Sequence, residues 1–216
     1  MGNCTGTNCT NYCTAEDASS SRQLNEIKTE PDEPKAHKFE VEKIYNNGDK
    51  YNGEMIGTLR WGNGKYYWAN GDKYEGEWKR DQMNGHGLLK FASGSWYDGE
   101  FKNNYKHGKG SYYSPEGRYE GEWVDDVMTG EGKCFFASEK MFEGEFINNL
   151  RIGKGVERYF DLKMSYEGEF KNDLRHGKGC FVYSNEDKYE GDFDEDQRHG
   201  IGVYHYANGR RFEGEY

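Results

Sequence analysis

Two sets of side chains in this 216-residue chain have the chemistry of acid–base or metal sites: recurring pairs of acidic residues, and histidines that recur beside glycines. Paired carboxylates act as acid and base only where their surroundings push their pKa values apart. So many near-identical pairs cannot all have special surroundings. The histidines lie in separate segments, too dispersed to share a metal ion. They are His86, His107, His176 and His199. We therefore expect structural roles for both sets.

Other patterns that could mark a catalytic or cofactor site are incomplete. Asp192 to Asp196 resembles the start of an EF-hand loop, but Gln197 and Val203 stand where that loop needs glycine and glutamate. The recurring Gly-x-Gly pairs lack the third glycine and the helix of a dinucleotide site. Cys134 and Cys180 are predicted to be packing residues on opposite faces of their strands. The sequence thus predicts no enzyme activity, no cofactor and no metal.

The charge of the chain limits its partners. There are 39 acidic and 29 basic residues, a net charge of −10, and 16% of residues are aromatic. Nucleic acid requires the opposite charge, so we exclude it as a partner. Anionic lipid surfaces would be repelled as well, which makes direct lipid binding by the acidic segments doubtful. No apolar run is long enough for a transmembrane helix, and no apolar stretch follows Met1 as in a signal peptide. We expect a cytoplasmic protein that is associated with a membrane or with the cytoskeleton.

A five-residue phrase, aromatic–acid–Gly–acid–aromatic with small variations, is repeated along the chain. Its spacings are 23, 23, 22, 23, 24, 23 and 23 residues, which indicates a repeat architecture. A Gly-x-Gly pair begins eleven residues after the opening aromatic in every copy but the last. The copies open at Tyr51, Tyr74, Tyr97, Tyr119, Phe142, Tyr166, Tyr189 and Phe212.

The compound phrase resembles the MORN repeat. The resemblance is carried by Tyr74-Glu75-Gly76-Glu77-Trp78 with Gly85-His86-Gly87, and by Tyr166-Glu167-Gly168-Glu169-Phe170 with His176-Gly177-Lys178-Gly179. It covers residues 51–216; the first copy departs at Asn52 and Met55, and the fourth has Thr129 in place of histidine. The resemblance implies an elongated, twisted sheet with an aromatic-lined groove.

The residues themselves predict an all-β fold. We number each copy from its opening aromatic. Positions 1, 3 and 5 then share one face of a strand and positions 2 and 4 the other, because side chains alternate. Positions 14, 16 and 18 continue the inner face on a second strand. Asn70-Gly71, Ser93-Gly94 and Asn208-Gly209 predict hairpin turns. Residues 41–216 should form an antiparallel ribbon of about seven and a half hairpin repeats, whose last segment, Phe212 to Tyr216, covers the preceding hairpin or exposes an edge.

Residues 1–40 are polar and are predicted to form a disordered tail. This tail begins with residues that resemble an acylation motif. Met1-Gly2-Asn3-Cys4 is similar to the start of a lipoprotein, with myristate on Gly2. One acyl chain anchors weakly, so palmitate on cysteine would have to supply the second. The candidates are Cys4, Cys9 and Cys13. The motif prefers Ser or Thr where Gly6 stands, so an unmodified tail and a weak metal site remain alternatives.

These patterns predict a non-catalytic scaffold that links a membrane or cytoskeletal structure to protein partners bound along the ribbon. The resemblance also implies two alternatives. One is a structural subunit of a ciliary axoneme or cell cortex, similar to a radial spoke head protein. The other is the regulatory module of a lipid kinase or methyltransferase. The groove candidates, for which core stacking is the other role, are Tyr74, Trp78, Tyr97, Phe101, Tyr119 and Trp123.

Overall fold

The computed structural model describes residues 37–216, and these form sixteen β-strands and no helix. The strands are β1 (Phe39–Ile44), β2 (Lys50–Ile56), β3 (Leu59–Tyr67), β4 (Lys73–Lys79), β5 (Gln82–Lys90), β6 (Trp96–Lys102), β7 (Tyr105–Ser114), β8 (Gly117–Val124), β9 (Val127–Phe136), β10 (Lys140–Ile147), β11 (Leu150–Tyr159), β12 (Met164–Lys171), β13 (Leu174–Val182), β14 (Lys188–Asp194), β15 (Gln197–His205) and β16 (Arg211–Glu215). All but the last four residues of the predicted tail lie outside the described residues. None of the described residues forms a helix able to cross a membrane.

The strands follow one another through the sheet in chain order, from β1 to β16. The predicted all-β architecture of successive antiparallel hairpins is therefore confirmed. The described residues fall into two compact units. The N-terminal unit holds residues 37–115 and 123–126, and the C-terminal unit holds residues 116–122 and 127–216.

Burial alternates along the first strands as the sequence predicts, except in β16, where the opening Phe212 is exposed. In β4, Tyr74 and Trp78 are buried, while Glu75 and Glu77 between them are exposed. The same alternation recurs in β14, where Tyr189 and Phe193 are the buried members. One face of each hairpin therefore carries the aromatic core, and the other carries the acids.

The packing of the core depends on an aromatic ring lying flat over two glycines. Gly76 on β4 pairs with Gly87 on β5. A Cβ atom built on Gly87 would lie 2.4 Å from the hydroxyl oxygen of Tyr74 and 2.5 Å from its ring. That hydroxyl donates a hydrogen bond to the carbonyl of Glu77 at 2.9 Å. Tyr51, Tyr97, Tyr119, Tyr166 and Tyr189 make the same bond to position 4 of their own copies.

The rings at positions 1 and 5 form edge-to-face rows within each unit. In the N-terminal unit Phe101 meets Tyr97 of its own repeat at 5.1 Å and Tyr74 of the preceding repeat at 5.2 Å, with interplanar angles of 89° and 88°. In the C-terminal unit Phe193 meets Tyr189 and Tyr166 in the same way. Edge-to-face contact is the arrangement that the ring quadrupoles favour. Each position-5 ring thus joins two adjacent repeats.

Two kinds of turn close the hairpins. The predicted Asn-Gly and Ser-Gly turns are confirmed, with φ of 98° at Gly71, 97° at Gly94 and 84° at Gly209. The other turns lie at positions 7 and 8, and in six repeats both of their residues have positive φ although neither is glycine. They are Arg80-Asp81, Asn103-Asn104, Asp125-Asp126, Asn148-Asn149, Asn172-Asp173 and Glu195-Asp196. Asn and Asp tolerate this left-handed conformation better than most residues do.

The glutamates of position 4 support a bulge in the second strand. Gly85 and Gly108, the first residues of two Gly-x-Gly pairs, have φ of 88° and 57°. The carboxylate of Glu77 accepts the backbone N–H of His86 at 2.9 Å, and that of Glu100 accepts the N–H of Lys109 at 3.0 Å. The structural role predicted for these acids is therefore confirmed at these two repeats.

We expect Gly87→Ala to destabilise the protein by about 3 kcal/mol, because the added methyl group would overlap the Tyr74 ring. Thermal or denaturant unfolding of the variant measures this change. Leu88→Ala is the matched control, since Leu88 is the next residue and points to the other face. In a double-mutant cycle, Gly87→Ala combined with Tyr74→Leu should destabilise the protein by less than the sum of the two single changes, because the shorter side chain makes room for the methyl group. Additive costs in that cycle would contradict the ring-over-glycine account.

Candidate functional site

A row of polar contacts joins each repeat to the next along one edge of each unit. At position 10, the backbone N–H of Arg60 bonds to Asp81 Oδ1 of the following repeat at 2.9 Å. The guanidinium of Arg60 bonds to the same oxygen through Nε and to the Asp81 carbonyl through Nη2, both at 3.0 Å. Arg175 and Asp196 repeat the arrangement in the C-terminal unit. We call this contact the position 8–10 clasp.

The cations of the clasp lie over the core rings. The guanidinium carbon of Arg60 is 4.2 Å from the Trp78 ring centroid and 4.6 Å from that of Tyr66. The Lys106 ammonium is 4.8 Å from Trp123 and 4.7 Å from Tyr112. A desolvated cation over an aromatic face is attracted by the ring quadrupole. Sequence reasoning missed this role, although a basic residue stands at position 10 in five of the seven copies.

One copy carries a buried carboxylate where the others have an aromatic, leucine or cysteine. Glu157 occupies position 16 and is only 3% exposed. Its Oε1 lies 2.6 Å from Lys140 Nζ and 2.6 Å from Arg151 Nη1, and Tyr159 donates its hydroxyl to Oε2. Burial acts to raise the pKa of Glu157, but Lys140 and Arg151 outweigh it and lower the pKa from 4.5 to about 2. The carboxylate is therefore ionised and compensated in the core.

The accessible aromatic surface lies mainly at position 18, beside position-16 rings that are buried at Tyr66 and half-buried at Tyr204. We define the N-terminal strip as Tyr45, Tyr66 and Trp68, and the C-terminal strip as Tyr183, Tyr204 and Tyr206. In the first, Tyr66 is 5.8 Å from Tyr45 and 4.8 Å from Trp68. In the second, Tyr204 is 5.7 Å from Tyr183 and 4.9 Å from Tyr206. Trp68 and Tyr183 are half-buried, and Tyr206 is exposed.

Each strip is fixed by an aspartate in the turn beside it. The Tyr66 hydroxyl donates to Asp49 Oδ2 at 2.6 Å, and Asp49 Oδ1 accepts the N–H of Ala69 at 2.8 Å. Asp187 holds the C-terminal strip in the same way, through the Tyr204 hydroxyl. Burial and the Asp187 carboxylate raise the pKa of Tyr204 to about 12, so the phenol stays protonated and keeps donating. The hydroxyl groups of Tyr66 and Tyr204 are therefore held in place by these aspartates.

The six groove candidates named from the sequence lie in the interior instead. Each is at most 4% exposed in the described structure. Tyr74, Trp78, Tyr97, Phe101 and Trp123 share the rows of the N-terminal unit, and Tyr119 packs against Phe146 in the C-terminal unit. Their binding to a partner stays a prediction, whereas their stacking is observed. The strips that are accessible belong to other positions of the repeat.

The remaining candidates are placed as follows. Gly2, Cys4, Cys9 and Cys13 lie outside the described residues. Cys134 is buried and Cys180 partly exposed on the opposite face, as predicted. His176 is 3.0 Å from Asp194, and His86 is 3.4 Å from Asp98. Within residues 37–216 no group of three or more His, Cys, Asp or Glu is placed to hold a metal ion.

We expect Glu157→Gln to destabilise the protein by about 3 kcal/mol at neutral pH, because it leaves the cations of Arg151 and Lys140 uncompensated. The lowered pKa means that the stabilisation by Glu157 is present above pH 4.5 and is lost as the pH falls towards 2. The unfolding free energies of wild type and variant, measured against pH, should therefore converge across that range. The exposed Glu167→Gln is the control. A difference in unfolding free energy between wild type and Glu157→Gln that does not depend on pH would contradict the ionised state assigned to Glu157.

Comparison with known proteins supplies the family. Seven consecutive segments match the MORN repeat: residues 51–73, 74–96, 97–117, 119–140, 142–162, 166–188 and 189–210. No curated protein matches the chain.

Two solved structures have a likeness too weak to support any conclusion about this chain. The SAS-4 TCP domain of Drosophila melanogaster, in complex with a proline-rich motif of Ana2, is 12% identical with a TM-score of 0.44, over 89% of this chain and 99% of that one. Virginiamycin B lyase from Staphylococcus aureus is 10% identical with a TM-score of 0.15, over 81% of this chain and 68% of that one. The repeat matches, in contrast, span residues 51–210. The chain therefore belongs to the MORN repeat family.

Proposed function

We propose that this protein is a non-catalytic scaffold that binds protein partners through its aromatic strips and links them to a membrane or cytoskeletal structure. The observation that carries the proposal is the accessibility of the position-18 rings Trp68, Tyr183 and Tyr206, beside a core that buries the rings of positions 1 and 5. Tyrosine and tryptophan in fixed geometry are the side chains that contribute most to protein interfaces.

The two faces of the sheet favour a protein partner over an anionic lipid surface. On the face of the sheet that carries the strips, the rings contact cations that are already bound in position 8–10 clasps, such as Arg60 and Arg175. The opposite face carries the acids of positions 2 and 4, which alternate with lysines in cross-strand pairs such as Lys65–Glu75 and Lys133–Glu143. An anionic membrane would be repelled by the excess of acids. Attachment to a membrane is therefore assigned to the N-terminal segment rather than to the repeats.

Replacing a ring of the strip should weaken partner binding without unfolding the sheet. We expect Trp68→Ala to lower co-purification of protein partners from the native cell by about thirtyfold, since an anchor ring that is buried at an interface contributes about 2 kcal/mol. Tyr67→Ala is the matched control, because Tyr67 is the adjacent residue, is 39% exposed and lies on the opposite face of the sheet, which carries the acids. Quantitative mass spectrometry of the two samples gives the comparison. Equal partner recovery from both variants would refute the strip as the binding surface.

The tether is tested separately at the N-terminus. Intact mass of the natural protein should show loss of Met1 and gain of one myristoyl and at least one palmitoyl group. We expect Gly2→Ala to move the protein from the membrane pellet to the soluble fraction, because the remaining cysteines would not be acylated at a membrane that the chain no longer visits. Cys180→Ser is the control for loss of a thiol within the repeats. The protein could instead co-sediment with detergent-extracted cytoskeleton whether residue 2 of the chain is Gly or Ala. That result would assign the link to the cytoskeleton.

A further inference from the structure

The outer rings of each strip carry hydrogen-bond donors that have no acceptor within residues 37–216. These rings flank the position-16 tyrosines, whose own hydroxyls are bound to Asp49 and Asp187. In contrast, no described residue accepts a hydrogen bond from the side chain of an outer ring. The outer rings are Tyr45 and Trp68 in the N-terminal strip and Tyr183 and Tyr206 in the C-terminal strip. Each strip therefore presents two donors, a hydroxyl or an indole N–H from each outer ring.

The two outer rings of a strip lie one repeat apart. Trp68 follows Tyr45 by 23 residues, and Tyr206 follows Tyr183 by the same number. One repeat is two strands wide, which is about 9.6 Å at the ordinary strand spacing. In the N-terminal strip the position-16 ring between them lies 5.8 Å from Tyr45 and 4.8 Å from Trp68, which is consistent with this width. A segment that contacts both outer rings must therefore present side chains about 9.6 Å apart.

The polyproline II helix matches both the spacing of the outer rings and their donors. It rises about 3.1 Å per residue with three residues per turn, so every third residue recurs after about 9.3 Å. An extended strand presents one face every two residues, or about 6.8 Å, which does not match the rings. An α-helix uses its backbone carbonyls in its own hydrogen bonds, so they cannot accept from the rings. A polyproline II segment has no internal hydrogen bonds, and its carbonyls are free to accept.

A cation lies at one end of the N-terminal strip. The ammonium of Lys43 is 4.7 Å from the centroid of the Tyr45 ring. Within residues 37–216 it forms no ion pair, and the carboxylate of the nearby Asp49 is already hydrogen-bonded in the sheet. The corresponding residue of the C-terminal strip is Phe181, which has no charge. Charge complementarity therefore favours an acidic segment at the N-terminal strip.

Resting on the proposed role of the strips in partner binding, we propose that the N-terminal strip docks a polyproline II segment of a partner protein, with proline at every third residue and an acidic residue beside a proline. The segment crosses the strands, so that one proline packs on Tyr45 and the next packs on Trp68. The Tyr45 hydroxyl and the Trp68 indole N–H donate to its carbonyls, and Lys43 pairs with its acid. Such a segment is extended before it binds, which keeps the entropy cost of docking low.

The test uses a fluorescein-labelled peptide of four Ala-Asp-Pro triplets. We expect it to bind the 216-residue chain saturably in a fluorescence-anisotropy titration. A control peptide has the same composition, but its prolines are irregularly spaced. We expect this control to bind about tenfold more weakly, because two of its prolines cannot contact both outer rings at once.

Variants of the protein separate the donor and the charge from general packing. Trp68→Phe keeps an aromatic ring and removes the indole N–H, so it should weaken binding of the regular peptide by about fivefold. Lys43→Ala should weaken it by about threefold at low salt, because it removes the partly exposed cation. Lys50→Ala is the matched control, since this exposed lysine lies on the opposite face, and its affinity should stay within about twofold of wild type. Thermal unfolding of each variant shows that it is folded.

Four results would overturn the proposed occupant. The first three are no binding of the regular peptide, equal binding of the irregular peptide, and unchanged affinity of a folded Trp68→Phe variant. The fourth concerns residues 29–34 of this chain, which also contain two prolines three residues apart, Pro31 and Pro34. Tighter peptide binding by the chain with Pro31→Ala and Pro34→Ala would make its own segment the occupant and refute the partner.

Failure of this inference and failure of the proposed function give different results. If Trp68→Ala loses its native partners while the regular peptide does not bind, the strip binds proteins but not through polyproline II. If the peptide binds while Trp68→Ala recovers its native partners in full, the role of the strip in the scaffold is refuted and the peptide site remains.

Discussion

The stability of the sheet depends on the packing of an aromatic ring against a pair of glycines. The ring at position 1 folds back over its own strand and the next, and it occupies the volume that two Cβ atoms would need. The hydroxyl at its end then reaches the carbonyl of position 4 in six copies. Glycine is unfavourable in strands elsewhere because it leaves nothing to pack. Here the missing side chains create the cavity that the ring fills, which explains why both glycines accompany the opening aromatic in every copy but the last.

The edges of the hairpins are joined by polar groups rather than by apolar packing. The clasp joins position 10 to position 8 of the next repeat, and the Asx turns join Asp49, Asp72 and Asp187 to the backbone of the following turn. Each of these aspartates is almost fully buried, so its hydrogen bonds satisfy an otherwise costly charge. The apolar row in the middle and the polar contacts at the edges act between adjacent repeats. Stability of such an array is the sum of local and nearest-neighbour terms.

Much of this fold could be predicted from sequence because alternation and a fixed period are local properties. The face of each residue, the role of the glycines and the Asn-Gly turns needed no knowledge of distant residues. The burial of Trp78 and Phe101 could not be judged in that way, because their rings are covered by the preceding repeat. The same applies to Glu157, which is stabilised in the core only because Lys140 lies on an adjacent strand. The Asp or Asn at position 8 was visible in six copies, but only a structure relates it to a cation of the preceding repeat.

The turns and clasps have a consequence for how the chain acquires its structure. Hydrogen bonds between adjacent repeats connect residues only 20–22 positions apart. All-β proteins usually fold slowly because their strands pair across large sequence separations. In this chain the separations are short throughout, so hairpins can form as soon as their residues are available and then add to a preceding one. Synthesis from the N-terminus would thus allow the sheet to grow repeat by repeat, with one newly formed edge exposed at each stage.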